Sequence, residues 1–232
     1  MMTGCSSSFP VVCLILLFSA LGSQPLLADT PKKKTRKTGT NIAYYFDSRD
    51  FNTITIVNST SDLPLGFAVW GFADFLSAPK DADERFDITR YFIEYRLLRP
   101  IEPAWVKGLH GLGAVIEYND LEGGDNALVR LGISYKRFLP FTGSWLQGRV
   151  FPVETDGNGA QFALSYRLNL NPSLYLGGFV DYNWIEGGEN RWVTEPQLTY
   201  RIGDRYALLL EFRYNEFERD DKGLSAGFEV VF

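Results

Sequence analysis

Hydrophobic and polar residues alternate along most of the chain, from Asn41 to the last residue, Phe232. In Tyr206–Tyr214 every position of one parity is aromatic or aliphatic, whereas the other parity includes Glu211 and Arg213. A period of two is typical of β-strands whose two faces meet different surroundings, and it does not fit a helix. The sequence therefore predicts an all-β fold.

This alternation predicts about twelve antiparallel strands joined in an up-and-down order. Many of them have the roughly 9–11 residues that a tilted membrane-spanning strand needs. The first two strands are the shortest, so a barrel of about ten strands remains an alternative. The predicted strands are Asn41–Phe46, Phe51–Asn58, Leu65–Leu76, Arg90–Leu98, Leu109–Tyr118, Val129–Lys136, Trp145–Val153, Gln161–Leu168, Leu174–Trp184, Trp192–Ile202, Tyr206–Tyr214 and Leu224–Phe232.

The connections between these strands are of two kinds, which alternate along the chain as the two mouths of a barrel require. One kind has Pro, Gly and Asn with few acids: Ser59–Pro64, Arg99–Gly108, Arg137–Ser144, Asn169–Ser173 and Gly203–Arg205. The other kind holds 16 of the 28 acidic residues and 5 of the 23 basic ones: Asp47–Asp50, Ser77–Asp87, Asn119–Asn126, Glu154–Gly159, Ile185–Asn190 and Phe217–Gly223. If the C-terminus is periplasmic, the acidic mouth faces outward and favours cations or neutral solutes over anions.

Aromatic residues of the presumed lipid-facing parity form two groups, one near each mouth. They are Tyr95, Tyr135, Tyr200 and Tyr206 at one end, and Tyr118, Tyr182, Trp184, Trp192 and Tyr214 at the other. Two such girdles are typical of barrels in membranes. The chain thus resembles bacterial outer-membrane β-barrel proteins. Its terminal Phe228, Val230 and Phe232 resemble the C-terminal signal of that class, which implies contact with the barrel-assembly machinery through Phe232 and with outer-membrane lipids.

The N-terminal region differs from the rest in composition. The apolar run Phe9–Leu27 is followed by small residues and contains too few residues to span a membrane comfortably, so residues 1–28 are predicted to be a secretory signal peptide. Residues 29–40 are rich in Lys and Arg without apolar periodicity, which predicts a basic periplasmic tail. Both cysteines, Cys5 and Cys13, lie within the proposed signal. Residues 41–232 are the predicted outer-membrane barrel, reached after secretory export.

The opposite strand parity should line the barrel interior, and it carries charges of both signs. The charged lumen candidates are Arg90, Glu94, Arg96, Glu117, Arg130, Arg149, Arg167, Glu195, Glu211 and Arg213. The tight turn Gly203–Arg205 predicts that Ile202 lies opposite Tyr206, Gln197 opposite Glu211 and Glu195 opposite Arg213. Two interpretations remain open: a polar constriction of a pore, or a network of ion pairs that fills the interior.

Five aromatic residues share the interior parity: Trp70, Phe72, Phe92, Tyr175 and Phe179. Their rings either fill the lumen or stack against planar solutes such as nucleobases. The segments Trp70–Asp74 and Tyr91–Glu94 resemble the early strands of the nucleoside-specific channel (Tsx-like) family, with Phe72 and Asp74 at motif positions. That resemblance implies a 12-stranded barrel and a nucleoside-like solute.

Enzyme and cofactor signals are weak in this sequence. The single histidine, His110, begins a predicted outward-running strand near the periplasmic rim, with no serine obviously paired to it. No catalytic residue, metal site or cofactor is predicted, and no basic groove for a nucleic acid polymer is evident. The prediction is a monomeric channel for passive diffusion of small hydrophilic solutes, including nucleoside-like ones. The alternative is a closed structural or adhesive barrel with a salt-bridged interior.

Overall fold

A computed structural model of the chain describes residues 37–77, 87–101, 110–121, 127–140, 143–155 and 159–232. No helix in this described part is long and apolar enough to cross a membrane. One three-residue 3-10 helix, Pro64–Gly66, lies between two strands. The strands are β1 Lys37–Asp47, β2 Phe51–Ser61, β3 Ala68–Ser77, β4 Arg90–Pro100, β5 Leu112–Leu121, β6 Leu128–Phe138, β7 Trp145–Glu154, β8 Gly159–Asn169, β9 Leu174–Ile185, β10 Arg191–Thr194, β11 Gln197–Ile202, β12 Tyr206–Asn215 and β13 Lys222–Val231.

The strands form one closed antiparallel barrel. β1 pairs with β13 from Asn41–Val231 to Asp47–Ser225, which joins the two ends of the sheet. β10 and β11 each pair with both β9 and β12, so the two short strands share one position in the ring. The barrel therefore has twelve positions, one of which is divided between two strands. This confirms the predicted up-and-down barrel of about twelve strands.

Pro196 explains why the strand between β9 and β12 is divided. The register is continuous across the break, since Thr194 pairs with Tyr214 and Gln197 pairs with Glu211. Proline has no backbone N–H, so it cannot donate to the ladder at this point. Gly178 of β9 lies beside the break with φ 142°. A Cβ atom at Gly178 would lie 2.3 Å from the Glu195 carbonyl oxygen, so only glycine fits there.

We expect Gly178→Ala to lower the free energy of unfolding by about 3 kcal/mol, because it adds both backbone strain and a clash. Gly177→Ala is the matched control, since the added Cβ would meet its nearest neighbours at 3.6 Å. That variant should change stability by less than about 1 kcal/mol. Urea unfolding in lipid vesicles, followed by mobility on unheated detergent gels, measures both. Equal losses in the two variants would contradict this account of the divided strand.

The strand bounds differ from the predicted ones mainly near the N-terminus. β1 begins at Lys37 and so includes residues that the sequence assigns to the basic tail; the proposed signal peptide and the rest of the tail lie outside the described residues. β3 begins at Ala68, three residues later than predicted, because Leu65 lies in the 3-10 turn with φ 61°. The predicted pairs Ile202–Tyr206 and Gln197–Glu211 are confirmed, and the continuous register places Glu195 opposite Arg213.

The two faces of the barrel wall have inverted polarity compared with a soluble protein. Large apolar side chains are exposed on the outer face, including Ile116, Leu131, Ile133, Leu198, Leu208, Leu210 and Phe212. Tyr118, Trp184 and Trp192 are exposed near one end, and Tyr200 and Tyr206 near the other. Charged side chains are buried inside, among them Glu94, Glu117, Arg130 and Arg213. An outer surface of this kind is stable only against lipid, with the aromatic rings at the two interfaces.

The two ends of the barrel differ in charge. The end where β1 begins and β13 ends is named the terminal rim. The opposite end is named the acidic rim, and its described connections include Ser48–Asp50, Glu186–Asn190 and Glu216–Asp221. The sequence predicts that the terminal rim faces the periplasm.

Candidate functional site

The predicted lumen residues share the strand parity of the buried charged residues. The strand registers place nine of the ten charged candidates and all five aromatic ones on the inward parity of their strands, with Arg90 at the acidic rim and Arg167 near the terminal rim. Glu195 lies in the break between β10 and β11. The ion pairs among them divide into two groups on different parts of the wall. One group lies on β4–β7 and the other lies on β1, β2 and β12.

The first group, the Glu117 cluster, consists of Glu94, Arg96, Glu117, Arg130 and Glu154. Glu117 is 0% exposed, and it accepts hydrogen bonds from Arg96 Nε at 2.7 Å and from Arg130 Nη1 at 3.0 Å. Arg96 also pairs with Glu94, and Arg130 Nε donates to Glu154 at 3.2 Å. Two guanidiniums and three carboxylates thus alternate in one chain of contacts. Such a network holds its charges in a buried place because each charge has an opposite partner.

The second group, the Arg213 cluster, consists of Asp47, Arg49, Thr53, Glu211 and Arg213. Arg213 donates to Glu211 Oε1 at 2.5 Å and to Thr53 Oγ1 at 3.2 Å, and it lies 3.7 Å from Asp47 Oδ2. Asp47 also accepts from Arg49 at 2.9 Å. The Arg213 side chain therefore joins β12 to β1 and β2 across β13. These contacts narrow the interior on this side and tie together the strands that close the barrel.

A neutral contact reinforces the same side of the wall. The Tyr45 hydroxyl donates to Gln197 Oε1 at 2.8 Å, although Tyr45 lies on β1 and Gln197 on β11. Gly227, the β13 partner of Tyr45, leaves space for the ring to extend over β13. The Arg213 guanidinium lies 5.1 Å from the centre of the Tyr45 ring. The Gln197 and Arg213 side chains thus both contact Tyr45 on this side of the wall.

The interior aromatic residues form two stripes. The first stripe is Trp70, Phe72 and Phe92 on β3 and β4, with ring centres 5.7 Å apart for both Trp70–Phe72 and Phe72–Phe92. The second stripe is Tyr175 and Phe179 on β9. β3 and β9 are six positions apart in the twelve-position ring, so the two stripes lie on opposite sides of the lumen.

Accessibility separates the stripes from the ion pairs. All five stripe residues are partly exposed, whereas Glu94, Arg96, Glu117, Arg130, Glu211 and Arg213 are buried. The exposed part of a side chain that faces inward lies in the lumen. The stripe residues therefore contribute to the surface that a solute would meet, whereas the charges of the two clusters are less accessible.

Two interior carboxylates escaped the sequence analysis. Asp47 and Glu154 were assigned to acidic loops, yet both end strands and join the ion-pair clusters. Asp47 has the parity of Tyr45, so extending the alternation of β1 by one residue would have found it. Glu154 has the opposite parity to Arg149 and Phe151, and a β-bulge between β6 and β7 turns it inward. A bulge adds one residue and reverses the parity after it, and the local sequence gives little sign of it.

His110 lies in an exposed turn just before β5, at the terminal rim as predicted. Within the described ranges, no cluster of three or more His, Cys, Asp or Glu side chains is arranged to hold a metal ion.

The fold is similar to solved structures of outer-membrane proteins. A KdgM porin in complex with disordered oligogalacturonate matches with a TM-score of 0.53 and 11% identity, over 84% of this chain and 99% of that one. The outer membrane phospholipase A from Escherichia coli matches with a TM-score of 0.53 and 14% identity, over 88% and 93%. No protein-family model and no curated protein matches the chain. At these identities the likeness shows the fold: an outer-membrane β-barrel.

Proposed function

We propose that this protein is an outer-membrane channel for passive diffusion of small hydrophilic solutes, and that the path runs between the two aromatic stripes. The observation that carries the proposal is the difference in accessibility: Phe72 and Tyr175 are partly exposed, while Glu117 and Arg213 are buried in paired networks. A barrel that only filled its interior would have little reason to leave its aromatic side chains accessible and bury its charges.

The shape of this path favours planar solutes. Two aromatic stripes lie on opposite sides of the lumen, and the ion-pair clusters occupy the wall between them, so we expect a free cross-section that is a slot rather than a circle. A planar solute that enters the slot can stack on Phe72 or Phe92 of the first stripe or on Phe179 of the second, and stacking of a base on an aromatic side chain contributes about 1–3 kcal/mol. Nucleoside-like solutes fit this description, in agreement with the resemblance of Trp70–Asp74 to the nucleoside-specific channel family.

A closed structural barrel is the second candidate, and a specific observation favours it. Arg90, the first residue of β4, pairs with Glu218 of the β12–β13 loop at 3.2 Å, so this loop reaches across part of the acidic rim. Arg191 of β10 also contacts this loop through the Glu216 carbonyl. A loop held on several strands would restrict entry to the lumen. Conductance decides between the two candidates.

The test is the current through the refolded protein in planar bilayers, with adenosine as the probe. The wild type should conduct in discrete steps, and adenosine should block the current. Phe72→Ala should raise the half-blocking concentration about tenfold, because one stacking contact of about 1.4 kcal/mol is lost. Phe162→Ala is the matched control, since Phe162 pairs with Tyr182 on the outer face and lies outside the lumen.

Three outcomes are informative here. Block by adenosine that Phe72→Ala weakens and Phe162→Ala leaves unchanged supports the slot. Conductance without block would leave only the small-solute channel. A wild-type protein that inserts and stays silent would contradict the channel and favour the closed barrel.

We propose that the C-terminal residues serve assembly and that the barrel is a monomer. Phe232 follows β13 directly and is 73% exposed, and Phe228 on the same face is also exposed. An exposed aromatic terminus on the lipid-facing side is available to the barrel-assembly machinery before insertion. Export through an N-terminal signal peptide would precede this step.

A further inference from the structure

A row of cations and aromatic rings follows the inner face of the barrel at the terminal rim. It is named the rim arc and consists of Lys136, Trp145, Arg167, Tyr175 and Arg201, on β6, β7, β8, β9 and β11. Each residue lies within two positions of the end of its strand at this rim. The Lys136 ammonium is 4.1 Å from the Trp145 ring centre, and Arg167 is 3.9 Å from the Tyr175 ring centre. Arg201 contacts the same Tyr175 ring at 5.3 Å.

The three cations of the rim arc have no carboxylate partner among the described residues, unlike the buried arginines of the two clusters. The described carboxylates at this rim are Asp62, Asp204, Glu229 and the C-terminal carboxylate of Phe232, and none of them forms an ion pair with the arc. Glu229 lies within electrostatic range of Arg167 without contacting it. Glu229 instead accepts a hydrogen bond from Asn41 at 2.8 Å. Arg167 and Arg201 share one ring, so their guanidinium carbons lie at most about 9 Å apart, a separation at which like charges repel.

The way these cations are held leaves their donors free. An arginine that stacks on an aromatic ring keeps its N–H groups in the plane of the guanidinium, where they point away from the ring. Arg167 uses Nε to donate to Asn169 Oδ1 at 3.0 Å, and neither of its terminal nitrogens has a hydrogen-bond partner within the described part of the chain. Lys136 and Arg167 are half-buried and Arg201 is exposed, so a small solute in the lumen can reach all three.

From this geometry we infer that the rim arc is a binding site for oxyanions, with phosphate or carboxylate groups as the chemical class of ligand. An oxyanion placed between Arg167 and Arg201 accepts charge-assisted hydrogen bonds from two guanidiniums and removes their mutual repulsion. Tyr175 belongs both to the second aromatic stripe and to the arc, so the site begins where the slot ends. The acidic loops at the other rim repel anions, and the site is therefore reached from the terminal rim.

The test is isothermal titration calorimetry of the refolded full-length protein in a maltoside detergent, with inorganic pyrophosphate as the probe and sodium chloride of equal ionic strength as the reference. Pyrophosphate should bind saturably. Arg167→Gln and Arg201→Gln should each weaken binding about tenfold, because each removes one charge-assisted contact. Arg205→Gln is the matched control, since Arg205 lies in the turn at the same rim but outside the arc.

The result that overturns the inference is pyrophosphate binding that is unchanged in both Arg167→Gln and Arg201→Gln, or no binding beyond that of chloride. An equal loss in Arg205→Gln would also overturn it, since it would reduce the effect to the general positive charge of the rim. Binding is measured in detergent and needs no current, so a failure of the channel proposal leaves this test intact. Mobility on unheated gels verifies that each variant is folded.

Discussion

Replacing Glu117 with alanine is expected to lower the free energy of unfolding by about 3–5 kcal/mol. Glu117 is fully buried and is the shared acceptor of Arg96 and Arg130. Without it, two buried guanidiniums lose the acceptor that they share and each keeps one carboxylate, Glu94 for Arg96 and Glu154 for Arg130. The Asn119 side chain also loses its acceptor. Removing one member of a buried network costs far more than the net contribution of the network to stability, because the remaining charges are left desolvated.

Urea unfolding in lipid vesicles measures this loss, with two controls that isolate its cause. Glu189→Gln removes a carboxylate that is 88% exposed and lies 3.6 Å from Arg191, so it should change stability by less than about 1 kcal/mol. In an Arg130→Gln background, Glu117→Ala should cost less than it does in the wild type, since one of the two guanidiniums that Glu117 accepts from is already absent. If Glu117→Ala behaves like Glu189→Gln, the interior is hydrated well enough to solvate the arginines and the cluster is not buried in solution.

The alternation of side chains was sufficient to predict the architecture, because the wall of a membrane barrel imposes two environments on every strand. In β12 the lipid-facing and lumen-facing residues differ so clearly that both the strand and its pairing with β11 followed from the sequence. The turn Gly203–Arg205 fixed that register because a short turn allows only one. The same alternation assigned the ten charged and five aromatic lumen candidates to one face of the wall.

The arrangement inside the lumen depends on distances across the barrel, which could not be predicted from the sequence. Nothing in the sequence indicates that Glu117 bridges two arginines, or that the two aromatic stripes lie on opposite walls, since both depend on the closed ring of twelve positions. Glu154 was missed because the bulge in β7 reverses the parity, and Pro196 divided a strand that the alternation presents as continuous. The contacts of the closed barrel are also what distinguishes the cations of the rim arc from the arginines of the two clusters.

Arg213 is the residue whose replacement should most change ion flow, if the lumen conducts. It pairs with Glu211 and Asp47, and Glu195 and Asp74 also lie within electrostatic range of its guanidinium. Arg49 still neutralises Asp47 when Arg213 is removed, but the other three carboxylates then lose their nearest cation. The side of the lumen that the Arg213 cluster occupies would become both wider and negatively charged.

We therefore expect Arg213→Ala to increase the step conductance and to raise the cation-to-anion permeability ratio about tenfold, since about 1.4 kcal/mol of added attraction for a cation is sufficient for that change. Reversal potentials across a salt gradient in planar bilayers measure the ratio.

Arg213→Lys is the matched control. It retains the charge, so it should keep the wild-type selectivity. It should also lose the contacts with both Glu211 and Thr53, and with them some stability. A wild type and an Arg213→Ala variant that conduct with the same reversal potential would place the path away from this cluster. If neither the wild type nor Arg213→Ala conducts, and the variant has a lower unfolding midpoint, the ion pairs are interior packing in a closed barrel.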